Sequence, residues 1–527
     1  MKKYLLFTTL WWTVVFDWPF WGRIMDFYNH QPPMGFMVIV GIAFGFLTLA
    51  FLRLLAFLPF RVFQALMVIL TLAGATAYCG SLLYGVPVTP DMMRNVMATD
   101  PHEASGYLSL KTIALFLAVA LPPLIATFWL AKPIVKAPRR ALKGLGWIAF
   151  SLVIALGAIG IGFQDFAGLF RGDRSLRYFL SPFNVVYSTI RTFTTDASPD
   201  QVRTRKTLDE HPTMTVTPTR PTVFVVVVGE TTRSANWELA GYRRETTPLL
   251  KTIPDLISFP RVKSCGTSTD VSVPCMFSRV GNHNYDREQI LAEEPLATVL
   301  QRAGFKVEWI ENQGGCKGAC WEVPNRRPTP VPEYCDKGDC LDGVFIREID
   351  NAVTHATTAQ PTVLFLHTMG SHGPAYYLRS PEADKAFKPE CRDADLSSCS
   401  RESIANAYDN SVRYTDFVLA NMIKTLEAAH INAALVYVSD HGESLGENGL
   451  YLHGIPYMVA PAEQTTVPMV MWFSPEFKTE YGVNEDAIRA KVTSDDASHD
   501  NLYHTVMGLL KVKGTTYERP YDLSAAP

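Results

Sequence analysis

Four segments place chemically capable side chains directly after apolar runs. Glu230 closes "VVVVGE", Asn312, Gln313 and Lys317 stand in "VEWIENQGGCKG", His367 and His372 in "VLFLHTMGSHG", and Asp440, His441, Glu443 and His453 in "LVYVSDHGESLGENGLYLHG". Carboxylate oxygens and imidazole nitrogens are ligands for a borderline divalent cation, zinc first. One strand-final acid more often caps the next helix. Several such ends converging on one place point to a metal instead.

A fifth segment, "SCGTSTDVSVPC" (264–275), encloses Thr267, Ser268, Thr269 and Ser272 between two cysteines. A hydroxyl is a weak nucleophile at neutral pH unless a base or a metal takes its proton. A short disulfide loop would hold such an oxygen in place against a cation. Spacing alone leaves open which hydroxyl acts, and an ordinary disulfide loop with helix-capping Ser and Thr fits as well.

These residues need a scaffold that brings strand ends together. From Thr222 onward the runs "TVFVVVVGE", "KVEWIEN", "TVLFLHTMG", "AALVYVSDHGE" and "VPMVMWFSP" alternate with helical stretches at Pro295–Ala303, Cys340–Ala356 and Ser403–His430. Continuous apolar runs of this length mark a parallel sheet covered on both faces, and in an open α/β sheet ligands gather at the carboxyl ends of strands.

The first third of the chain has a different composition. Five stretches are long and apolar enough to cross a bilayer: Leu5–Trp21, Met34–Phe51, Val62–Leu83, Ile113–Ala131 and Leu145–Phe163. The first lacks a small-residue cleavage site and reads as an uncleaved span, with Asp17 near an interface. Lys2, Lys3, Arg53, Arg61, Lys132, Lys136, Arg139, Arg140 and Lys143 fall on one side, against Arg23, Arg94 and Lys111 on the other. The positive-inside rule then puts the N-terminus in the cytoplasm and the C-terminal region outside it.

Cysteine spacing agrees with an oxidising compartment. Of nine cysteines, Cys79 lies in the third apolar stretch, and the rest fall in near pairs: Cys265 and Cys275, Cys316 and Cys320, Cys335 and Cys340, Cys391 and Cys399. Four disulfides are expected, the alternative being zinc clusters. The expected division is a membrane domain over 1–163, an amphipathic surface helix and linker over 164–221, and an α/β domain over 222–527. A formal charge of −3 over 527 residues gives no basic bias, so no nucleic-acid partner is expected. Between the third and fourth spans Asn95, Thr99 and Glu103 recur every four residues, one face of a helix that Pro101 interrupts, though on spacing alone a solvated interfacial loop, with Glu103 on a following turn, is the better fit.

The stretches "VVGETTRSANWELAGYRRETTP", "SCGTSTDVSVPCMFS", "NQGGCKGAC", "HTMGSHGPAYY", "AYDNSVRYTD" and "YVSDHGESLGENGLYLHGIPY" resemble, in this order, the phosphoethanolamine transferases of the EptA and MCR type. These are membrane enzymes of the alkaline phosphatase and sulfatase superfamily, and the resemblance covers the whole chain. It implies Thr269 as nucleophile and Glu230, Thr269, Asp440 and His441 as ligands of a catalytic zinc. It implies phosphate contact, leaving-group protonation or a second zinc for His372 and His453. Substrate binding is implied for Gln313, Lys317 and Glu443, and headgroup contact for Asn95, Thr99 and Glu103. The family's donor is phosphatidylethanolamine and its acceptor a lipid A phosphate, so a monomeric, multi-pass enzyme of the bacterial inner membrane is expected. Its periplasmic catalytic domain would confer resistance to polymyxin and other cationic peptides. Other acceptors (core sugar, periplasmic glucan, protein or water) would use the same chemistry. Two positions depart from the family pattern: Gln313 stands for Asn or Asp, and Asp270 for Ala.

Overall fold

The strand Thr222–Gly229 (β1), "TVFVVVVG", is buried at every residue, because sheet neighbours flank it and other elements cover both faces. The computed structural model describes the chain apart from residues 29, 99–108, 134–137, 173–174, 196–203, 337–338, 394, 493–495 and 527. Further strands of this sheet are Ile257–Lys263 (β2), Lys306–Glu311 (β3), Asn325–Arg326 (β4), Thr362–His367 (β5), Asn432–Ser439 (β6) and Thr466–Phe473 (β7). They form a seven-stranded sheet in the order β2-β7-β6-β1-β5-β3-β4. The neighbours β6, β1, β5 and β3 run parallel, and β7 runs antiparallel to β6 and β2.

Thus the five expected strands form, though the sheet is mixed. The unexpected strand β2 lies at the edge and carries Pro260, while Pro468 in the interior strand β7 sits at a shift of register between Val467 and Met469. The three expected helices are Leu296–Arg302, Val344–Thr354 and Arg401–Ala428. The last is capped by Ser400, whose side chain accepts from the Ser403 N–H. Trp309, Phe277 and Phe365 pack edge-to-face and stacked in the core on one side of the sheet. All four disulfides form, Cys265–Cys275, Cys316–Cys320, Cys335–Cys340 and Cys391–Cys399, and Cys79 is a buried free thiol.

The chain groups into two units, Met1–Met93 with Leu108–Thr194, and Arg94–Tyr107 with Thr195–Pro527. Within the helical unit, four described helices are long and apolar enough to cross a membrane: Met34–Leu55, Phe60–Tyr84, Leu110–Trp129 and Leu142–Ile161 within Pro138–Ile161. The first expected crossing is not a single α-helix. It divides into Lys2–Leu10, a π-helical stretch Trp11–Phe16, and Trp18–Phe27. The Thr9 and Thr13 hydroxyls donate to the carbonyls of Leu5 and Thr9, a back-bonding that loosens the ordinary helical ladder. Asp17 ends the π-helical stretch, is buried, and accepts from the Ser181 N–H at 2.8 Å. The surface helix expected after residue 163 is three pieces, Phe163–Gly172, Leu176–Phe179 and Phe183–Thr195.

Candidate active site

β1 and β6 run side by side in the same direction and deliver Glu230 and Asp440–His441 to one point. The Asp440 carboxylate accepts through Oδ1 from the Thr231 and His441 N–H groups (3.2 and 2.7 Å). Its Oδ2 has no hydrogen-bond partner among the described residues, although it is buried. The His441 Nδ1–H donates to the Gly442 carbonyl (2.9 Å), which leaves Nε2 as the free lone pair, and burial holds the ring well below its ordinary pKa, in the neutral form. Burial also pushes the Asp440 carboxyl above its ordinary range, a penalty that a bound cation would relieve.

Thr269 completes the cluster from the first turn of the helix Thr269–Met276. Its hydroxyl donates to Glu230 Oε2 at 3.1 Å and lies 3.4 Å from His441 Nε2. His441 Nε2 is in turn 3.4 Å from Glu230 Oε1 and 3.4 Å from Asp440 Oδ2. Zinc bonds of roughly 2.0–2.1 Å put tetrahedral ligand atoms about 3.3 Å apart. The Thr269–Glu230, Thr269–His441, His441–Glu230 and His441–Asp440 separations match that spacing. The helix N-terminus adds its own preference for negative charge at Thr269 Oγ1 or on a phosphate bound to it.

The neighbouring hydroxyls have other work. Ser272 Oγ accepts from the Gly266 N–H and Ser264 Oγ donates to the Gly266 carbonyl. Thr267 donates to the Ile455 carbonyl at 2.6 Å, and its own carbonyl accepts from the Gly454 N–H, which fastens the loop beside His453. His499, which sequence reading missed, pins the other side: Nδ1 accepts from the Cys265 N–H and Nε2 donates to the Ser439 carbonyl. Only its mixed polar surroundings in "ASHDNLYH" hinted at this.

Backbone conformation contributes as well. Thr231 is left-handed (φ 52°), its carbonyl accepting from the Tyr408 hydroxyl at 2.6 Å. Gly370 is also left-handed (φ 49°), and a Cβ there would lie 2.5 Å from the Glu230 carbonyl oxygen. Asp342 accepts from the Met369 and Gly370 N–H groups and from Asn312, so Asn312 supports this turn.

A second tier of residues surrounds the four donors. The His453 ring is 4.5 Å from that of His441 and 5.4 Å from that of His372, and His453 Nδ1 lies 3.4 Å from Glu443 Oε2. Glu443 and His372 are buried, whereas His453 is half-buried. Lys317 is half-buried on the loop after β3, its ammonium donating to the Gly314 carbonyl at 2.8 Å. Gln313 is buried, and its side-chain oxygen accepts from the Gly314 N–H. Asn95 stands on the helix Pro90–Ala98, while Thr99 and Glu103 lie outside the described residues. Asp270, one residue past Thr269, is 3% exposed and accepts through Oδ2 from Arg94 (3.3 Å) and Arg287 (3.0 Å). Arg287 also donates to the Asp270 carbonyl (3.0 Å).

Residues 222–512 match the sulfatase family, and residues 45–197 match the family described as phosphoethanolamine transferase EptA/EptB. The phosphoethanolamine transferase EptA of Salmonella typhimurium is 37% identical over 460 residues, covering 86% of this chain and 83% of the relative. The phosphatidylethanolamine transferase Mcr-1 of Escherichia coli is 30% identical over 524 residues, covering 96% and 93%. Among solved structures, the integral membrane protein lipooligosaccharide phosphoethanolamine transferase A (EptA) from Neisseria meningitidis superposes with a TM-score of 0.94 at 33% identity, covering 100% of this chain and 99% of that one.

Proposed function

Because the chain belongs to the phosphoethanolamine transferase family of EptA and Mcr type, we propose that it moves phosphoethanolamine from phosphatidylethanolamine to a lipid A phosphate, through a covalent intermediate on Thr269. The observation that carries this reading is the 3.1–3.4 Å spacing of the donors around Thr269 Oγ1. Zinc held by Glu230, Thr269, Asp440 and His441 would supply Lewis acidity, easing loss of the Thr269 proton and offsetting charge on the phosphoryl oxygens.

In the first step Thr269 Oγ1 forms a bond to phosphorus, and the bond from phosphorus to the diacylglycerol oxygen breaks. His453, whose Nδ1 lies 3.4 Å from Glu443 Oε2, would give that oxygen its proton, with His372 beside it. In the second step an acceptor phosphate oxygen takes the phosphorus and Thr269 leaves. Lys317 would steady the phosphate charge, and Gln313, Asn95, Thr99 and Glu103 would contact the headgroup. The N-terminus of helix Thr269–Met276 would favour negative charge on the same oxygens.

Both substrates are lipids, which accounts for four apolar helices on the same chain, and residues 2–27 would supply a fifth crossing. In this reading the enzyme works as a monomer in the inner membrane, N-terminus in the cytoplasm and catalytic unit in the periplasm, where the four disulfides persist. Adding an ethanolamine cation lowers the negative charge of the outer surface and weakens binding of polymyxin.

Mass spectrometry of lipid A from Gram-negative cells expressing wild type or Thr269→Ala tests this. A phosphoethanolamine-sized gain is expected with wild type alone. A gain with both would remove Thr269 from the nucleophile's role, and none with either would move the acceptor elsewhere.

A further inference from the structure

Among the described residues from 195 to 527, the large apolar side chains left exposed are five: Tyr285, Leu378, Tyr457, Met458 and Val459. Single exposed apolar residues are ordinary on a folded surface, but these are not scattered. Each lies on a loop that leaves the active site. Tyr285 is on the loop after the Thr269 helix, Leu378 ends the turn Tyr376–Leu378 after His372, and Tyr457–Val459 form a short 3-10 turn that starts four residues after His453.

The tip at 457–459 is presented by a fixed root. The Ile455 carbonyl accepts from the Thr267 hydroxyl (2.6 Å), and the Ile455 N–H donates to the buried Gln464 side chain (3.2 Å), which itself donates to the Leu452 carbonyl (3.0 Å). Pro456 and Pro461 bracket the turn, and the Val459 N–H closes it on the Pro456 carbonyl (2.9 Å). A stiff turn of this kind keeps Met458, 86% exposed, and Val459 in water, a cost that an apolar partner removes. The other two loops share this root: Asn282, on the loop of Tyr285, hydrogen-bonds the Tyr457 side chain, and Arg379, next to Leu378, donates from Nε to the His372 carbonyl (2.8 Å). Aliphatic side chains flanked by tyrosines suit a membrane interface, where the ring is buried and its hydroxyl stays among the headgroups. The chain's four long apolar helices supply such a surface.

We propose that Tyr457, Met458 and Val459, flanked by Tyr285 and Leu378, enter the headgroup–acyl boundary of a lipid bilayer to a depth of roughly 5–10 Å and set the mouth of the site against it. A phosphodiester then reaches Thr269 while its acyl chains stay in the leaflet. This rests on the lipid-substrate reading for its purpose, whereas the lipid contact is measurable without turnover.

The test uses the full-length protein in phosphatidylcholine vesicles. Cys79→Ser removes the free thiol, and Met458→Cys carries an environment-sensitive nitrobenzoxadiazole dye. Blue-shifted emission is expected, with quenching by lipids that bear a nitroxide high on the acyl chain. The same dye at Lys424→Cys, exposed on the helix Arg401–Ala428, is expected to behave as in water. Water-like emission at both positions, or equal quenching at both, overturns the contact. A paired Met458→Ser and Val459→Ser variant carries no label that could distort the turn. It should raise KM for phosphatidylethanolamine in vesicles about tenfold, with KM for a water-soluble short-chain donor and the melting temperature as in wild type. No rise, or an equal rise for both donors, also overturns it. If wild type transfers nothing, the transferase reading falls, and the dye alone decides the lipid contact.

Discussion

Glu230, Asp440 and His441 are fully buried at strand ends and Thr269 is 6% exposed in a first helical turn, whereas Lys317 and His453 are half-buried on loops. The inner ring is built before any substrate arrives: main-chain donors fix Asp440, the Gly442 carbonyl fixes His441, and the tight passage of Gly370 past Glu230 leaves no room for drift. On the outer rim Lys317 donates to the Gly314 carbonyl and His453 Nδ1 faces Glu443. A site that, in the proposed reaction, takes two different lipids in turn needs this division, with rigid chemistry at the centre and an adaptable edge.

Asp270 tests that division most severely, since it carries charge next to the proposed nucleophile, Thr269, but points its carboxylate at Arg94 and Arg287. Replacing it with Ala leaves two largely buried guanidinium groups short of a partner, which costs about 3 kcal/mol of stability. The expected outcome is a marked fall in melting temperature with turnover per folded molecule within about threefold of wild type. If turnover or zinc affinity falls in proportion instead, Asp270 belongs to the ring. The Cys265–Cys275 bridge is the next test. With a sequence separation of 10 between its ends, its loss destabilises by about 2–3 kcal/mol in the loop-entropy account, and it also loosens Thr269. A double Ser variant is expected to melt lower and to lose kcat more than it raises KM, because the freed loop misplaces the attacking oxygen. A change in KM alone would mean that Thr267 and His499 hold the loop without the bridge.

Much of this was legible in the sequence because strand-final residues announce themselves. Glu230, His367 and Asp440 follow unbroken apolar runs, and the register of parallel neighbours brings such ends to one edge of the sheet. The edge strand Ile257–Lys263 hid behind Pro260 and a mixed alternation, and the antiparallel direction of Thr466–Phe473 is not a property of its own residues. His499 escaped for a related reason. Its partners, Cys265 and Ser439, are distant in sequence, so no local spacing connects them. The broken N-terminal segment was hidden differently: its apolar length suggests one span, while two threonine hydroxyls and Asp17 decide where the ladder yields.

Lys317 should give the smallest effect, and it sharpens the comparison from the rim's side. Lys317 sits on a loop stapled by Cys316–Cys320, in a left-handed conformation (φ 51°), and its ammonium donates to the Gly314 carbonyl at 2.8 Å. A flexible cation in that position meets the charge of the substrate phosphate equally before and during reaction, so its loss should weaken ground state and transition state alike. Lys317→Ala is then expected to raise KM about tenfold, near 1.4 kcal/mol, with kcat and zinc content unchanged. Lys317→Arg should recover most of that loss, because a charge without fixed geometry is what the rim supplies. A fall in kcat at constant KM would show the opposite, an interaction made only in the transition state, and would move Lys317 from the adaptable edge into the preorganised ring.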